Sequence, residues 1–136
     1  MVTLEAILER NNLNRAYKQV KANRGGPGVD GMTVDELLDY LRAHAVEIVE
    51  TVKAGKYKPQ PVRRVMIPKE EKGKFRPLEI PTAVDRVIQQ AIAQKLSDEY
   101  EPVFSLHSHG FRPCRSCRTA IDEALDIAVS YTHLRP

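Results

Sequence analysis

The sequence predicts an α+β fold in which one β-hairpin lies among several helices. Four segments have apolar residues at helical spacing, and two short β-favouring segments among them are separated by a polar loop. With 136 residues, 42% hydrophobic and 29% charged, the chain has the size and composition of one soluble globular domain. The helical segments are 3–24, 33–55, 82–101 and 116–128, and the β-favouring segments are 62–67 and 75–80.

The first helical segment contains two apolar faces, and a glycine-rich loop follows it. The spacing changes at Asn11 and Asn12, and Asn12 is predicted to be the N-cap of the second helix. The loop, residues 25–31, contains the spacing Gly-x-Gly-x-x-Gly of a dinucleotide site. A helix rather than a strand precedes it and Pro27 interrupts it, so we do not expect a dinucleotide there. Its bare backbone N–H groups suit the backbone of a nucleic acid instead.

Capping residues predict where the next two helices begin. Thr33 and Glu36 form a capping box before a helix that ends near Gly55. After the hairpin, Thr82 is the predicted N-cap of another helix, with Asp85 at its N3 position. For the last helix, spacing predicts an inward face made of Ala120, Ile121, Ala124, Leu125 and Ala128.

The predicted hairpin has a strong local excess of positive charge. Nine of the 21 cationic residues lie between Lys53 and Arg76, against the two acids Glu70 and Glu71. Lys69 and Arg76 fall at the two strand ends beside the loop. Such a cluster suits the phosphates of a polyanion, but charges on a ribbon also keep a sheet edge soluble. Charge alone leaves both interpretations open.

Several functional classes find little support in the sequence. The chain has no apolar run of the roughly 20 residues needed to cross a bilayer and no secretory signal, so we expect an intracellular, cytoplasmic protein without a membrane partner. His107, His109, Cys114 and Cys117 permit a small zinc-binding module as an alternative, although their spacing is short for a structural zinc site. Adjacent acids and the absence of an activated nucleophile indicate a binding platform rather than a complete catalyst.

Three blocks of sequence together resemble the N-terminal third of group II intron-encoded reverse transcriptases, also called maturases. The first is NRGGPGVDGMTVDEL, at 23–37. The second spans 57–92, with IPK at 67–69, RPL at 76–78 and IPTAVDRVIQQAI at 80–92. The third lies within 104–120, where HGFRPCRSCRTA is similar to the family's GFRP-x-RS block. The blocks follow the family's order over about residues 1–128.

The resemblance implies the N-terminal part of an RNA-directed DNA polymerase of the right-hand type. Residues 1–56 would form a helical N-terminal extension with a glycine-rich loop, and residues 57–128 would form a partial fingers subdomain. Its partners would be the RNA template, the RNA/DNA primer duplex, the incoming dNTP and intron RNA. The sequence gives no indication of an oligomeric state.

Site residues follow from the resemblance, position by position. The dNTP would be bound by Lys69 and Arg76 at its triphosphate and by Ile80 and Pro81 near the templating base. The template or its duplex would be contacted by a second set. That set is Arg24, Gly25, Gly26, Gly28, Arg63, Arg64, Arg112 and Arg115.

One part of the family's pattern is not found. The palm aspartates that hold two Mg²⁺ ions in the family have no counterpart here, and 129–136 does not resemble the expected strand. We therefore expect a fragment that lacks the palm, binds no metal, has no catalytic residues and is inactive alone, with 129–136 as a truncated or non-native tail. The remaining alternative is a standalone RNA-binding or splicing-factor module.

Overall fold

The structure, a computed structural model, describes residues 1–71 and 73–132 of the chain. This part contains five α-helices, one 3-10 turn and a two-stranded antiparallel sheet, which confirms the predicted mixture of helices and one hairpin. The chain divides into two compact units, Met1–Leu96 and Ser97–Pro136. In order, the elements are α1 (Leu4–Ile7), α2 (Arg10–Ala22), α3 (Leu37–Lys53), β1 (Arg63–Pro68), β2 (Phe75–Ile80), α4 (Ala83–Tyr100), the 3-10 turn Glu101–Val103 and α5 (Cys117–Thr132).

The core of the first unit is formed by residues of α2, α3 and α4. Three of the six buried hydrophobic residues that form it are alanines, so the core is built from small side chains that let backbones approach closely. Leu13 and Tyr17, which lie on an apolar face of α2, pack against this core. The buried residues are Ala16, Val20, Leu37, Ala83, Val87 and Ala91.

Asn12 is a buried residue inside α2, and the prediction that it caps the helix is wrong. Its side-chain amide donates hydrogen bonds to the carbonyls of Ile7, at 2.8 Å, and Ala91, at 2.9 Å. The amide of Gln94 in turn donates to Asn12 Oδ1 at 2.9 Å. Because these partners in α4 lie 79 and 82 residues further along the chain, local spacing could not reveal them.

Replacing Asn12 with alanine is expected to lower the free energy of unfolding of the first unit by about 2–3 kcal/mol. The change removes three buried or half-buried hydrogen bonds at once, those that the Asn12 amide donates to the Ile7 and Ala91 carbonyls and the one that the Gln94 amide donates to Asn12 Oδ1. Denaturant unfolding measures the loss, and the exposed neighbour Asn11 offers the matched Asn11→Ala control, with an expected change within about 0.5 kcal/mol. Equal losses in the two variants would contradict the buried network.

The two hydrogen bonds of the predicted capping box are confirmed, but α3 begins only at Leu37, with Glu36 rather than Thr33 as its N-cap. The Thr33 N–H donates to Glu36 Oε2 at 2.9 Å, and the Glu36 N–H donates to Thr33 Oγ1 at 3.4 Å. At the other end, Gly55 adopts a φ of 67°, which a glycine tolerates at no steric cost. Beyond Leu37, the apolar residues of α3 are half-buried or exposed, and most of them line an open groove of about 670 Å³, among them Ile48 and Leu41, which also packs against the core.

The hairpin is mostly exposed, so the prediction that it packs among helices is wrong for most of its length. Of its twelve strand residues, only Val65, Ile67 and Ile80 are half-buried. Met66 and Phe75 are each 55% exposed on the other face. A two-stranded sheet has no second layer of its own, and the described helices cover only part of one face.

In the second unit, α5 runs from Cys117 through Thr132 and thus extends beyond the predicted end at 128. The predicted inward face is wrong for its large members, because Ile121 is 60% exposed and Leu125 is 57% exposed. A helix buries its apolar stripe only where another layer covers it. The remainder of the predicted tail, 133–136, lies outside the described residues. None of the described helices combines the length and apolar character that a membrane crossing requires.

Candidate nucleic-acid interface

The register of the hairpin brings Lys69 and Arg76 to one face. Ile67 pairs with Arg76, and the pairing continues past β1, because the Lys69 N–H donates to the Lys74 carbonyl at 2.8 Å. Since side chains alternate between the faces of a strand, Lys69 lies on the same face as Ile67 and diagonally across from Arg76. Diagonal neighbours in an antiparallel pair are about 7–8 Å apart. The predicted position of the two cations beside the loop is thus confirmed.

The cations of the hairpin differ in whether an acidic side chain pairs with them. Arg64 lies on the face opposite to Arg76 and forms an ion pair with Glu79 at 2.8 Å. Lys74 is paired with Glu71 at 2.5 Å. Within the described residues, Arg63, Lys69 and Arg76 have no ion-pair partner. All three occupy the face that also carries the half-buried Val65, Ile67 and Ile80. Lys72, which contributes to the predicted charge excess, lies outside the described residues.

The glycine-rich loop lies against the end of β2 and the start of α4. Gly28 is buried, and a Cβ built on it would stand 2.7 Å from Thr82 Cα and 3.0 Å from the Pro81 carbonyl oxygen. The Arg86 guanidinium donates to the Gly26 carbonyl at 2.8 Å. The structure therefore brings two predicted groups together, the loop residues assigned to the template and Pro81 assigned to the dNTP.

Arg24 joins α2 to this loop with an unusual backbone conformation. Its φ of 47° lies in the left-handed region, where a residue with a Cβ is strained. Its side chain is exposed, and so are those of Arg63, Lys69 and Arg76. Every cation assigned to nucleic acid in the first unit is therefore exposed to solvent.

Arg112 and Arg115, in the second unit, hold their own loop. Arg112 is 7% exposed at its side chain and pairs with Glu101 at 2.8 Å. It also donates to the carbonyls of Ser105, at 2.6 Å, and Ser108, at 2.9 Å, and lies over the Phe104 ring. Arg115 donates to the Leu106 carbonyl. Their contact with a template stays a prediction, and the structure gives both guanidinium groups a structural role as well.

The histidines considered for zinc contact a carboxylate instead of the cysteines. His107 and His109 each bond one oxygen of Glu123, and the other ring nitrogen of His109 lies 2.9 Å from Thr119 Oγ1. Both cysteines are free and exposed. In the described ranges, no three His, Cys, Asp or Glu side chains are grouped so that they could hold a metal ion.

Glu123 is expected to make the second unit sensitive to acid. Hydrogen bonds from His107 and His109 hold the pKa of its carboxyl below the ordinary 4.5. A carboxyl whose pKa is lower in the folded state stabilises that state above the unfolded pKa, and the contribution disappears as the pH falls through the folded pKa. As the pH falls below 4.5, the free energy of unfolding should therefore decrease more in wild type than in Glu123→Gln, because glutamine does not titrate.

Circular dichroism during acid titration measures this difference. The matched control is Asp122→Asn, because the Asp122 carboxylate is exposed and lies 4.0 Å from its partner Arg118. The control should follow the wild-type curve. Identical acid sensitivity of wild type and Glu123→Gln would contradict the prediction.

Sequence reasoning missed two side chains that organise the interface. Asp85 is predicted only to occupy the N3 position of α4, yet its carboxylate also accepts hydrogen bonds from Tyr57 and the Gln60 N–H. Arg86 is not among the predicted site residues, yet it is half-buried and its guanidinium holds the glycine-rich loop. The sequence offered one local signal for these roles, the adjacent acid and base Asp85 and Arg86 in the first turn of α4. Such a pair is also common on exposed helices, so it does not indicate burial.

Comparison with known proteins identifies the family. The chain matches no protein-family model. It is 43% identical over 106 residues to the group II intron-encoded protein LtrA of Lactococcus lactis subsp. cremoris, covering 78% of this chain and 18% of the relative. It is 41% identical over 120 residues to protein YkfC of Escherichia coli, covering 87% of this chain and 31% of the relative.

A further relative is the putative COX1/OXI3 intron 2 protein of Saccharomyces cerevisiae, 36% identical over 109 residues, or 78% of this chain and 12% of the relative. The chain therefore spans less than a third of the length of each of these three relatives. The match to intron-encoded proteins extends over most of the chain at identities that reflect common descent. The chain belongs to the family of group II intron-encoded proteins, of which it represents one segment.

Proposed function

We propose that the chain is the N-terminal extension and fingers segment of a group II intron reverse transcriptase, in which it binds the RNA template and the triphosphate of the incoming dNTP. The observation that carries this proposal is the distribution of charge on the hairpin. Arg63, Lys69 and Arg76 share one face and have no ion-pair partner among the described residues, whereas Arg64 on the other face and Lys74 opposite Lys69 are neutralised by Glu79 and Glu71.

The chemistry of Lys69 and Arg76 suits a triphosphate. An ammonium group is a compact point charge, and a guanidinium presents a planar fork that can bond two phosphate oxygens at once. Their diagonal spacing of about 7–8 Å is similar to the length of a chain of phosphates. In phosphoryl transfer such cations stabilise the negative charge of the transferring group.

The template would pass along the other end of the same face. Arg63 is opposite Ile80 in the register, and Ile80 leads directly to Pro81, against which the glycine-rich loop lies. A loop of glycines lets a sugar-phosphate backbone come close to its N–H groups. Arg24 would add a phosphate contact at the start of the loop. Arg64, Arg112 and Arg115 would contact the template in one of two ways. Their side chains would leave their present partners for a phosphate, or their backbone N–H groups would bind it.

Catalysis needs groups that the described residues do not supply. The proposed polymerase requires Mg²⁺, and no described group of three potential ligands fits a metal ion. We place the metal-binding carboxylates in a palm beyond this segment. The 136-residue chain alone should consequently bind nucleic acid and show no primer extension.

Fluorescence anisotropy with a labelled RNA template and DNA primer tests the binding. Because phosphate contacts release counterions, Arg63→Ala should weaken binding and reduce the slope of log K against log salt by about 0.7–0.9. Arg42→Ala is the matched control, since Arg42 is exposed on α3 and faces Asp39 at 3.5 Å. Equal affinities for all three proteins would contradict the proposed interface.

Hydrogen exchange separates the polymerase segment from a standalone RNA-binding module. A longer protein that contains this segment should show slower exchange at the hairpin residues 69–76 when a matching dNTP joins the template and primer. A protein that binds RNA without polymerising would show protection by RNA alone. No response to the dNTP would therefore favour the module or a splicing factor.

A further inference from the structure

The buried carboxylate of Asp85 connects both ends of the hairpin. Asp85 is 3% exposed. Its Oδ1 accepts a hydrogen bond from the Tyr57 hydroxyl at 2.6 Å, and its Oδ2 accepts bonds from the Gln60 N–H at 3.0 Å and the Thr82 hydroxyl at 2.7 Å. Tyr57 and Gln60 belong to the connector that enters β1, whereas Thr82 follows β2. We call this carboxylate and its three donors the Asp85 clamp.

The hairpin has few other contacts that could fix its direction. Its strand residues are exposed except for Val65, Ile67 and Ile80, which are half-buried. Gln60 lies three residues before β1 begins, and Thr82 lies two residues after β2 ends. Hydrogen bonds so close to both ends tie the start and the end of the hairpin to the first turn of α4.

The three donors of the clamp are neutral groups, and we expect them to keep their hydrogen bonds to the Asp85 carboxylate. A buried carboxylate is costly unless its oxygens are hydrogen-bonded, so the three donors and the charge depend on each other. Burial and the bond to Asp85 raise the pKa of Tyr57 above its ordinary value of 10. The tyrosine therefore remains a hydroxyl donor throughout the physiological pH range.

We propose that Asp85 is a positioning residue that sets the direction of the hairpin through this clamp. Because the carboxylate is buried, it would act without contacting a ligand, by placing the face that carries Lys69 and Arg76. The consequence for nucleotide binding rests on the proposed function. The geometric effect does not, because it concerns only the direction of the ribbon relative to α2 and α4.

Distance measurement between two spin labels tests the geometry in the full chain. The labels are placed at Glu70→Cys, beside the hairpin loop, and Lys18→Cys, on the exposed face of α2, with Cys114→Ser and Cys117→Ser removing the native thiols. Wild type should give one narrow distance distribution. The clamp is weakened in Tyr57→Phe, which removes one hydroxyl donor without changing the ring.

The sharpest comparison is at residue 60. Gln60→Pro removes the N–H that donates to Asp85, and an extended backbone before Pro61 accommodates proline. Gln60→Ala keeps that N–H and is the matched control. We expect Gln60→Pro and Tyr57→Phe to broaden the distance distribution by about twofold, a local loosening without global unfolding, whereas Gln60→Ala leaves it unchanged.

Circular dichroism confirms that each variant retains its helices. If folded Gln60→Pro and Tyr57→Phe both keep the narrow wild-type distribution, the positioning role is overturned. If the distribution broadens but the longer protein with an intact clamp shows no hydrogen-exchange response to dNTP, the clamp stands and the triphosphate role of the hairpin fails. A narrow distribution in Gln60→Ala together with a broad one in Gln60→Pro would assign the effect to one backbone hydrogen bond, the one from the residue 60 N–H to Asp85.

Discussion

Substitution of Gly28 by alanine is expected to destabilise the first unit by about 2–3 kcal/mol or more. The added Cβ would lie 2.7 Å from Thr82 Cα, 2.9 Å from the Thr82 N and 3.0 Å from the Pro81 carbonyl oxygen. All three are backbone atoms, so no side-chain rotation relieves the contact. Either the glycine-rich loop or the start of α4 has to move, and both belong to the candidate interface.

Gly26 provides the matched control two residues earlier in the loop. A Cβ on Gly26 would meet no atom within 4 Å, and its φ is not in the left-handed region. Gly26→Ala should therefore be neutral or stabilise by up to about 1 kcal/mol, because alanine restricts the unfolded chain. Thermal unfolding measures both variants. Similar melting temperatures would show that the loop does not press against Pro81 and Thr82.

Loss of stability in Gly28→Ala should coincide with loss of RNA affinity. The loop can relieve the clash by moving away from Pro81, and this movement would break the bond between Arg86 and the Gly26 carbonyl. Template binding would then fall in the same variant, while Gly26→Ala should retain it. The stability and the binding would share one physical cause, the close approach of backbone that only glycine permits.

The sequence predicts an interaction well when the two partners are close together along the chain. The Thr33 and Glu36 capping box spans three residues, and its two hydrogen bonds are found as predicted. The hairpin likewise follows from two β-favouring segments and a polar loop, and its register places Lys69 and Arg76 beside that loop. In each case the determining interactions are local.

Side chains that depend on distant partners could not be predicted in the same way. The bond from the Tyr57 hydroxyl to Asp85 joins residues 28 apart, and that from Arg86 to the Gly26 carbonyl joins residues 60 apart. A polar residue on a helix is by default expected at the surface. Nothing local marks Asp85 as buried, because the same residue at N3 also serves a helix N-terminus in water.

The exposed face of α5 has a different cause. Helical spacing correctly predicts a helix there, but it predicts burial only if a second layer exists. Ile121 and Leu125 remain exposed because nothing in the described part of the second unit covers them. Helical spacing therefore predicts which face of a helix is apolar, but whether that face is buried depends on a second layer that packs against it.

Arg76→Ala in a longer reverse transcriptase that contains this segment is expected to weaken dNTP use far more than template binding. A charge-assisted hydrogen bond contributes about 1.5–3 kcal/mol, so kcat/KM for the dNTP should fall about 10- to 150-fold. The affinity for template should change by less than about threefold, because one phosphate contact is lost at most. Steady-state kinetics and anisotropy on the same preparation provide the two values.

Two further substitutions define what Arg76 contributes. Arg76→Lys keeps the charge and loses the guanidinium fork, so it should fall between wild type and Arg76→Ala. Lys74→Ala removes a cation of the same hairpin that is already paired with Glu71, and it should leave dNTP use nearly unchanged. If Lys74→Ala equalled Arg76→Ala, overall positive charge rather than the guanidinium position would explain the effect.

In Arg76→Ala, the loss in dNTP use relative to the loss in template affinity distinguishes a triphosphate site from a general cationic surface. A hairpin that merely attracts polyanions would lose template and dNTP binding together, since both ligands respond to the same field. A hairpin that aligns Arg76 diagonally to Lys69 on one face would lose the nucleotide selectively. Equal losses would therefore remove the triphosphate role and leave a general electrostatic surface, whereas a selective loss would tie this face of the hairpin to the nucleotide.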